Sequence, residues 1–155
     1  MPENYQIDNV DLRILETLLQ DAKRPYTEVA KKVHVSQGTV HVRMHKLEEA
    51  GIVEKTTLRL NYARLGYDIT AFIGIFLQKS ALYDTVLNCL KEIPEITNIH
   101  YTTGNYSMFV KIHCRDTNHL KEVLHDKMQQ VEGIERTETM ISLEESLDRS
   151  LKLYI

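Results

Sequence analysis

Gln37, Gly38, Thr39, His41 and Arg43 fall within seven positions of one another in SQGTVHVRMHKLEEAGIV, Ser36 to Val53. Glutamine offers a donor and an acceptor that match an adenine edge. Threonine's methyl suits a thymine methyl, and arginine or lysine reaches guanine or phosphate. Gly38 removes the side chain that would hold a backbone away from a grooved surface. This is the chemistry of contact with a nucleic acid, not of bond making. His41 and His45 are four apart, a spacing that metal ligands use. The intervening VRM lacks the glutamate of HExxH, however, and no third ligand is near. No Ser/His/Asp set, carboxylate pair or phosphate loop stands out elsewhere, so no catalytic residue is assigned.

Such residues need a rigid carrier. Asp8 can cap a first helix, with Asp11 favourable in its first turn and Leu12, Leu15, Leu18 and Leu19 recurring at helical spacing. Pro25 suits the opening turn of a second helix, YTEVAKK, with Val29 and Ala30 inward. After the turn VHVS, Ser36 caps a third helix whose Val40, Met44 and Leu47 point in and whose left-handed closing residue is Gly51. Two short helices around a tight turn make a helix-turn-helix. Gln37, Gly38, His41 and His45 then face outward, with Thr39, Arg43 and Lys46 on the flanks. A protein-binding module of the same shape is the alternative reading.

Charge supports the nucleic-acid reading locally. The chain of 155 residues has a net charge of −3, which argues against polyanion binding by the whole surface. Yet residues 22–46 hold Lys23, Arg24, Lys31, Lys32, Arg43 and Lys46 against Glu28 alone, while acids outnumber bases from residue 60 onward. A basic run is ordinarily a solvated face; its coincidence with the helix pair gives it direction. No apolar run approaches the ~18–20 residues of a membrane span. The opening MPENYQIDNV lacks the basic and apolar segments of a signal peptide. Cys89 and Cys114, far apart and without CxxC spacing, suit reduced thiols in the cytoplasm.

Residues 54–67 read as a connector, with Thr56, Leu58 and Leu60 alternating as a strand, Lys55 and Arg59 either a wing on the DNA backbone or simply solvated, and NYARLGY as a hinge with one helical turn. From Asp68 the pattern becomes strand, helix, strand, a tight GN turn, strand, helix, strand: β-α-β-β-α-β, the split ferredoxin-like unit. The helices place Val86, Leu87, Leu90 and Ile93, then Leu120, Val123, Leu124 and Met128, inward. The expected class is therefore α+β, with a helix-turn-helix domain over 1–53 and a sheet domain over 68–155. The first strand is apolar on both faces: Ile69, Ala71, Ile73, Ile75 and Leu77 on one, Phe72 and Phe76 on the other. A sheet covered on one side needs only one apolar face. A second copy covering the other is the simplest answer, and a strand bent around its own core is the alternative.

YTTGNYS, Tyr101 to Ser107, is polar and rich in hydroxyls at a strand-to-strand corner. Gly104 can expose successive backbone N–H groups as a nest for a carboxylate, with Tyr101, Thr102, Thr103 and Tyr106 adding hydroxyls. Read alone, the same stretch is an ordinary hairpin turn.

With LEEAGIV after SQGTVHVRMHK, then LGYDITAFIGI, YTTGNYSMFVKI and RTETMISL, the chain resembles the Lrp/AsnC family of bacterial and archaeal transcription regulators over nearly its whole length, and within it the asparagine-responsive branch. The resemblance implies a helix-turn-helix on double-stranded DNA, a ferredoxin-like effector domain, homodimers paired through their sheets and commonly an octamer of four dimers. It also implies a small effector, usually an amino acid, held between dimers, with asparagine a candidate, and no cofactor. By position it assigns Ser36, Gln37, Gly38, Thr39, His41 and Arg43 to the reading end, with Lys31, Lys32 and Lys46 toward phosphates. Tyr101, Thr102, Thr103, Gly104, Asn105 and Tyr106 form the effector cleft, Gln129 reaches a ligand held by a neighbouring dimer, and Thr137 and Thr139 support the cleft. The chain departs from the family at His34, commonly glycine, at Ser107, where many members have Asp, and at Asn105, which replaces a bulkier residue. Two other functions are compatible with this architecture: a DNA-wrapping protein with little sequence preference, and a haem-pathway decarboxylase-like enzyme.

Overall fold

The structure, a computed structural model, describes residues 5–153. Met1–Asn4, part of the leader reading, and Tyr154–Ile155, the end of the expected sheet domain, lie outside them. The chain forms two compact units. One runs to Arg59 and takes up the segment from Leu147; the other spans Leu60–Ser146.

The first unit is three helices: α1 (Asn9–Gln20), α2 (Tyr26–Val33) and α3 (Gln37–Glu49). Ile14, Val29, Ala30, Val33, Val40, Met44 and Leu47 are its buried apolar residues. The expected α3 stripe is the buried one, and Gly51 follows it at φ 69°. In α1 the buried face differs from the leucine pattern. It carries Asp11, Ile14 and Thr17, Leu15 and Leu18 pack at its margin, and Leu19 is exposed. Asp11 and Thr17 go inside because each is hydrogen-bonded there: Thr17 donates to the Arg13 carbonyl at 2.8 Å, and Asp11 belongs to the cluster described below. Apolar periodicity cannot see satisfied polar residues.

The expected connector strand does not form. Residues 54–60 are exposed and in no sheet, and a strand without a partner leaves its backbone groups to water. Arg59, expected as a wing cation, pairs with the Asp148 carboxylate at 2.5 Å and donates to its carbonyl at 3.1 Å. One helical turn does form, at Ala63–Leu65.

The second unit orders its elements as β1 (Ile69–Leu77), α4 (Tyr83–Lys91), β2 (Ile96–Tyr101), β3 (Met108–Cys114), α5 (Thr117–Glu122) and β4 (Ile134–Ile141). The sheet order is β2-β3-β1-β4, with every pair antiparallel. This is the βαββαβ arrangement expected from sequence. Val86, Leu90, Leu120, Val123 and Met128 from the helices pack on Ala71, Ile73, Ile75, Val110 and Ile112 of the central strands. Full burial of each large side chain contributes roughly 1.5–3 kcal/mol. Two local features were not anticipated. The β2–β3 connection is six residues, Thr102–Ser107, rather than a two-residue turn. After α5 the chain continues as a π-helical turn, Val123–Met128.

The face of β1 away from the helices is partly apolar, as expected. Phe72 stacks on Phe109 at 5.8 Å, Phe76 meets Tyr106 at 5.2 Å, and the Arg136 guanidinium lies 3.8 Å from the Phe76 centroid. Phe72 and Phe76 are half-buried.

Candidate nucleic-acid interface and hairpin cleft

In the first unit α3 is fixed at its start. Ser36 accepts from the Thr39 N–H at 3.0 Å and shares a 2.8 Å hydroxyl contact with Thr39. At the turn before it, His34 takes φ 63°, ψ 47°, so that its N–H and that of Val35 close on the Ala30 carbonyl. It is the one non-glycine residue with positive φ among the described residues.

Gln37, Gly38, His41 and Lys46 are exposed, and Thr39 is half-buried beside its cap. His41 leans edge-on to Tyr26, with 4.7 Å between centroids. Lys31 and Lys32 are exposed on α2; Lys32 reaches Gln20 at 3.3 Å. Sequence reading passed over Val42, which is 56% exposed. It sits two positions from both buried Val40 and Met44, which on a helix is the opposite face. An exposed methyl pair there suits a thymine methyl. Gly38, Thr39, Val42, Arg43 and Lys46 line a surface hollow of about 610 Å³.

Arg43 departs from expectation because it does not stand free. Its Nη1 donates to Asp8 Oδ2 at 2.6 Å and to Asp11 Oδ1 at 2.9 Å, and its side chain is only 25% exposed. Asp8 Oδ1 takes the Val10 and Asp11 N–H groups as the α1 cap. Asp11 Oδ2 accepts from the Asp8 N–H and the Tyr5 hydroxyl, both at 3.0 Å. All four carboxylate oxygens are thereby used. The hydrogen bond from Arg43 holds the Asp8 carboxyl below its ordinary range, and the same bond, then that to Asp11, raises Arg43 further. Burial, then the bond to Asp11, pushes the Tyr5 phenol up. Asp11 is fully buried, and a buried charge persists only when paired and hydrogen-bonded. The cluster ties the middle of α3 to the start of α1.

In the second unit the hairpin tip exposes Thr103, Gly104 and Asn105. Gly104 has φ 112°, a conformation that side chains resist. Thr102 closes the loop, its N–H to the Ser107 carbonyl at 3.2 Å and its hydroxyl to the Tyr106 carbonyl at 2.7 Å. The amides of Thr103, Gly104 and Asn105 donate to nothing among the described residues, which leaves consecutive donors for an anion. Tyr101 is exposed beside Tyr83, 4.5 Å between centroids.

Tyr106 turns back over the sheet. Its ring covers Gly74 so closely that a Cβ there would lie 2.4 Å from it. Its hydroxyl donates to Glu138 Oε2 at 2.8 Å, and that bond raises the phenol's pKa. Strand alternation explains why Glu138, and not Thr137 or Thr139, meets it. Glu138 pairs with Gly74, whereas Thr137 and Thr139 pair with Ile75 and Ile73, whose side chains go to the helix-covered face. Gln129 is exposed at the end of the π turn, its N–H on the Leu124 carbonyl at 3.0 Å. In sequence the signal for the Tyr106–Gly74 contact is the single glycine between Phe72 and Phe76 on the aromatic face of AFIGIF.

Comparison with known proteins follows the two units. Residues 7–48 match the model of the AsnC-type helix-turn-helix domain, and residues 70–151 match that of the Lrp/AsnC ligand binding domain. The chain is 43% identical over 150 residues to regulatory protein AsnC of Escherichia coli strain K12, covering 97% of this chain and 99% of that one. It is 39% identical over 137 residues to the HTH-type transcriptional regulator FL11 of Pyrococcus furiosus, covering 88% and 89%. The solved structure of E. coli AsnC superposes with a TM-score of 0.91 at 41% identity, over 96% of this chain and 100% of that one. A Neisseria meningitidis transcriptional regulator solved with L-Met shares the fold, with a TM-score of 0.90 at 20% identity, over 96% and 97%.

Proposed function

We propose, for a chain that belongs to the Lrp/AsnC family of transcription regulators, that α3 enters the major groove of double-stranded DNA while the hairpin holds an amino-acid effector. Family membership makes the chain a regulator with a DNA-binding helix-turn-helix and a ligand-binding domain. The proposal adds residues and partners to that frame. Domains over 1–53 and 68–155, joined by a connector over 54–67, divide the two tasks.

At the DNA, Gln37, Thr39, His41 and Val42 read base edges, with Gly38 allowing close approach and Ser36 fixing the helix start. Lys31, Lys32 and Lys46 hold phosphates, which position without specifying sequence. Arg43 sets the angle of α3 through Asp8 and Asp11. The chain works as a cytoplasmic homodimer, with open sheet faces together and reading helices about one DNA turn, ~34 Å, apart. Such dimers build toward an octamer. In the effector domain the free amides of Thr103, Gly104 and Asn105 take the ligand's carboxylate, with Tyr101, Thr102 and Tyr106 shaping the cleft. Gln129 of a neighbouring dimer reaches the ammonium. Asparagine is the first effector to test. No catalytic step is assigned. The ligand acts by unequal affinity for different assemblies, the only way in which it can shift them.

One observation carries the reading: a capped α3 that buries Val40, Met44 and Leu47 while presenting Gln37, His41, Val42 and Lys46. Selection from a random duplex library followed by fluorescence anisotropy tests it. A selected duplex is expected to bind at least ~10³-fold more tightly than its scrambled version, and millimolar asparagine is expected to change that affinity or the assembly size. Equal binding to both duplexes overturns it.

A further inference from the structure

A cavity of about 620 Å³ lies at the end of the β2–β3 ladder remote from the hairpin, walled by Tyr62, Tyr67, Glu95, Arg115, Asp116 and Glu122 among others. Nothing in DNA reading or in the hairpin cleft uses it. Its key group is Glu95, whose side chain is 9% exposed. Glu95 Oε1 receives both nearby donors, Lys127 Nζ at 2.6 Å and His119 Nε2 at 3.0 Å. The His119 role is fixed from its other side: Nδ1 accepts the Arg115 N–H at 3.1 Å, so Nε2 carries the proton. Glu95 Oε2 is the buried side-chain polar atom left without any partner among the described residues. Buried oxygens normally find a donor. Burial pushes this carboxyl up, but the bonds from Lys127 and His119 outweigh it and keep Glu95 ionised.

The rest of the wall suits a cation. The Tyr62 and Tyr67 rings meet edge to face, 6.5 Å apart at 82°, and Tyr62 also stacks on His113 at 4.5 Å. The Arg115 guanidinium already rests 5.9 Å from the Tyr67 centroid, which shows that this ring accepts positive charge. Asp116 and Glu122 add carboxylates, and Lys127 is spent on Glu95.

We propose that this cavity is a second ligand site, for a small organic cation bearing N–H donors: a primary alkylammonium ion. Its head donates to the free Glu95 oxygen, and its apolar body lies against Tyr62 and Tyr67. Glu95 lines the cavity and the terminal torsion of a glutamate is soft, so a turn of the carboxylate, which carries both oxygens and draws Lys127 and His119 with it, brings the buried Oε2 to the cavity. A bare inorganic cation would lack the body that the tyrosines complement, and an anion would meet three carboxylates against the single guanidinium of Arg115.

Isothermal titration of the full chain with n-butylammonium chloride, at ionic strength matched with sodium chloride, tests the site. One saturable site per chain is expected. Tetramethylammonium, which has no N–H, is expected to bind about tenfold or more weakly, because a site built to donate or accept a hydrogen bond rejects a ligand that lacks it. Glu95→Gln is expected to weaken n-butylammonium by a similar factor, and Tyr67→Leu by roughly threefold. Circular dichroism establishes that each variant is folded. If Glu95→Gln does not fold, Tyr67→Leu and the tetramethylammonium comparison decide. Absence of saturable heat from the unaltered chain overturns the proposal, as does equal affinity for both cations or for every folded variant. None of these outcomes depends on whether α3 reads DNA.

Discussion

The three-helix unit and the four-stranded unit hold their working residues by opposite means. In the first, a small apolar core is supplemented by a knot of charges, with Arg43, Asp8, Asp11 and Tyr5 joining α3 to α1. In the second, a larger apolar core holds the sheet, with the Glu95, Lys127 and His119 cluster at the end remote from the hairpin, and the hairpin hangs from the sheet by a few hydrogen bonds and the contacts of Tyr106 with Phe76 and Phe109. A reading helix must keep its angle to within a groove's tolerance, and directional bonds fix an angle better than apolar packing does. An effector loop needs a rigid base and a free tip, which a covered sheet provides.

The largest effect that separates the two is expected in the sheet. Ile73 is fully buried at its centre, and Ile73→Ala should cost about 2–5 kcal/mol through lost burial and a residual cavity. Urea denaturation followed separately on each unit checks this, with the three-helix transition unmoved if the units are energetically distinct. Arg43→Ala comes next. It strands a fully buried Asp11 and should destabilise the helical unit by about 2–4 kcal/mol, given that Arg43 itself is partly exposed and its bonds partly screened. DNA binding then distinguishes its role. If Arg43 positions the helix, affinity falls while the salt dependence of the remaining binding keeps its slope. A phosphate contact would instead lower that slope by about one.

Gly74→Ala is expected to be milder in stability and sharper in function. A Cβ at 2.4 Å from the Tyr106 ring forces that ring to move, at a cost of about 1–3 kcal/mol. Displacing Tyr106 also breaks its bond to Glu138 and loosens the hairpin. The response to amino acids in a thermal-shift series, in which ligands that bind only the native state raise Tm, should therefore fall more than stability does. Tyr106→Phe is the control, since it keeps the ring over Gly74 and removes only the hydroxyl.

What could be read in advance tracks the same division. The element order, the βαββαβ topology and the buried stripe of α3 were legible because apolar residues there repeat with the period of their element. The charged knot was not: Asp8 and Asp11 read as a cap, and Arg43 as a DNA contact, because 32 positions separate Asp11 from Arg43 and no local pattern links them. The connector failed in the other direction, since alternation at Thr56, Leu58 and Leu60 signals a strand only if something pairs with it. In the hairpin, sequence pointed to the tip residues but missed Gly74 and Glu138, which meet Tyr106 through the registers of β1 with β3 and with β4.

Acid should loosen the knot, as it should the Glu95 ion pairs of the sheet unit. The Asp8 carboxyl titrates lower in the folded chain than its ordinary 3.8, so its contribution is present above about pH 4. It is lost as pH falls through the folded value. The contribution is small, because Asp8 is half exposed. Between pH 5 and pH 2 the helical unit should lose stability, and Asp8→Asn should flatten that slope while lowering stability at neutral pH.

The smallest expected change sits at the turn before α3. His34 holds φ 63°, a left-handed conformation that costs a side-chain-bearing residue about 1–2 kcal/mol. Glycine avoids that strain but gives back roughly 0.5–1 kcal/mol through the greater freedom of the unfolded chain. His34→Gly should therefore raise the stability of the helical unit by up to about 1 kcal/mol, read as a higher denaturation midpoint. His34→Val should lower it, because a β-branched side chain fits this region worst. The exposed imidazole makes no hydrogen bond among the described residues, so the glycine variant should bind DNA as the unaltered chain does. A loss of affinity without a loss of stability would instead make His34 part of the reading surface, and the turn would then belong to recognition as well as to geometry.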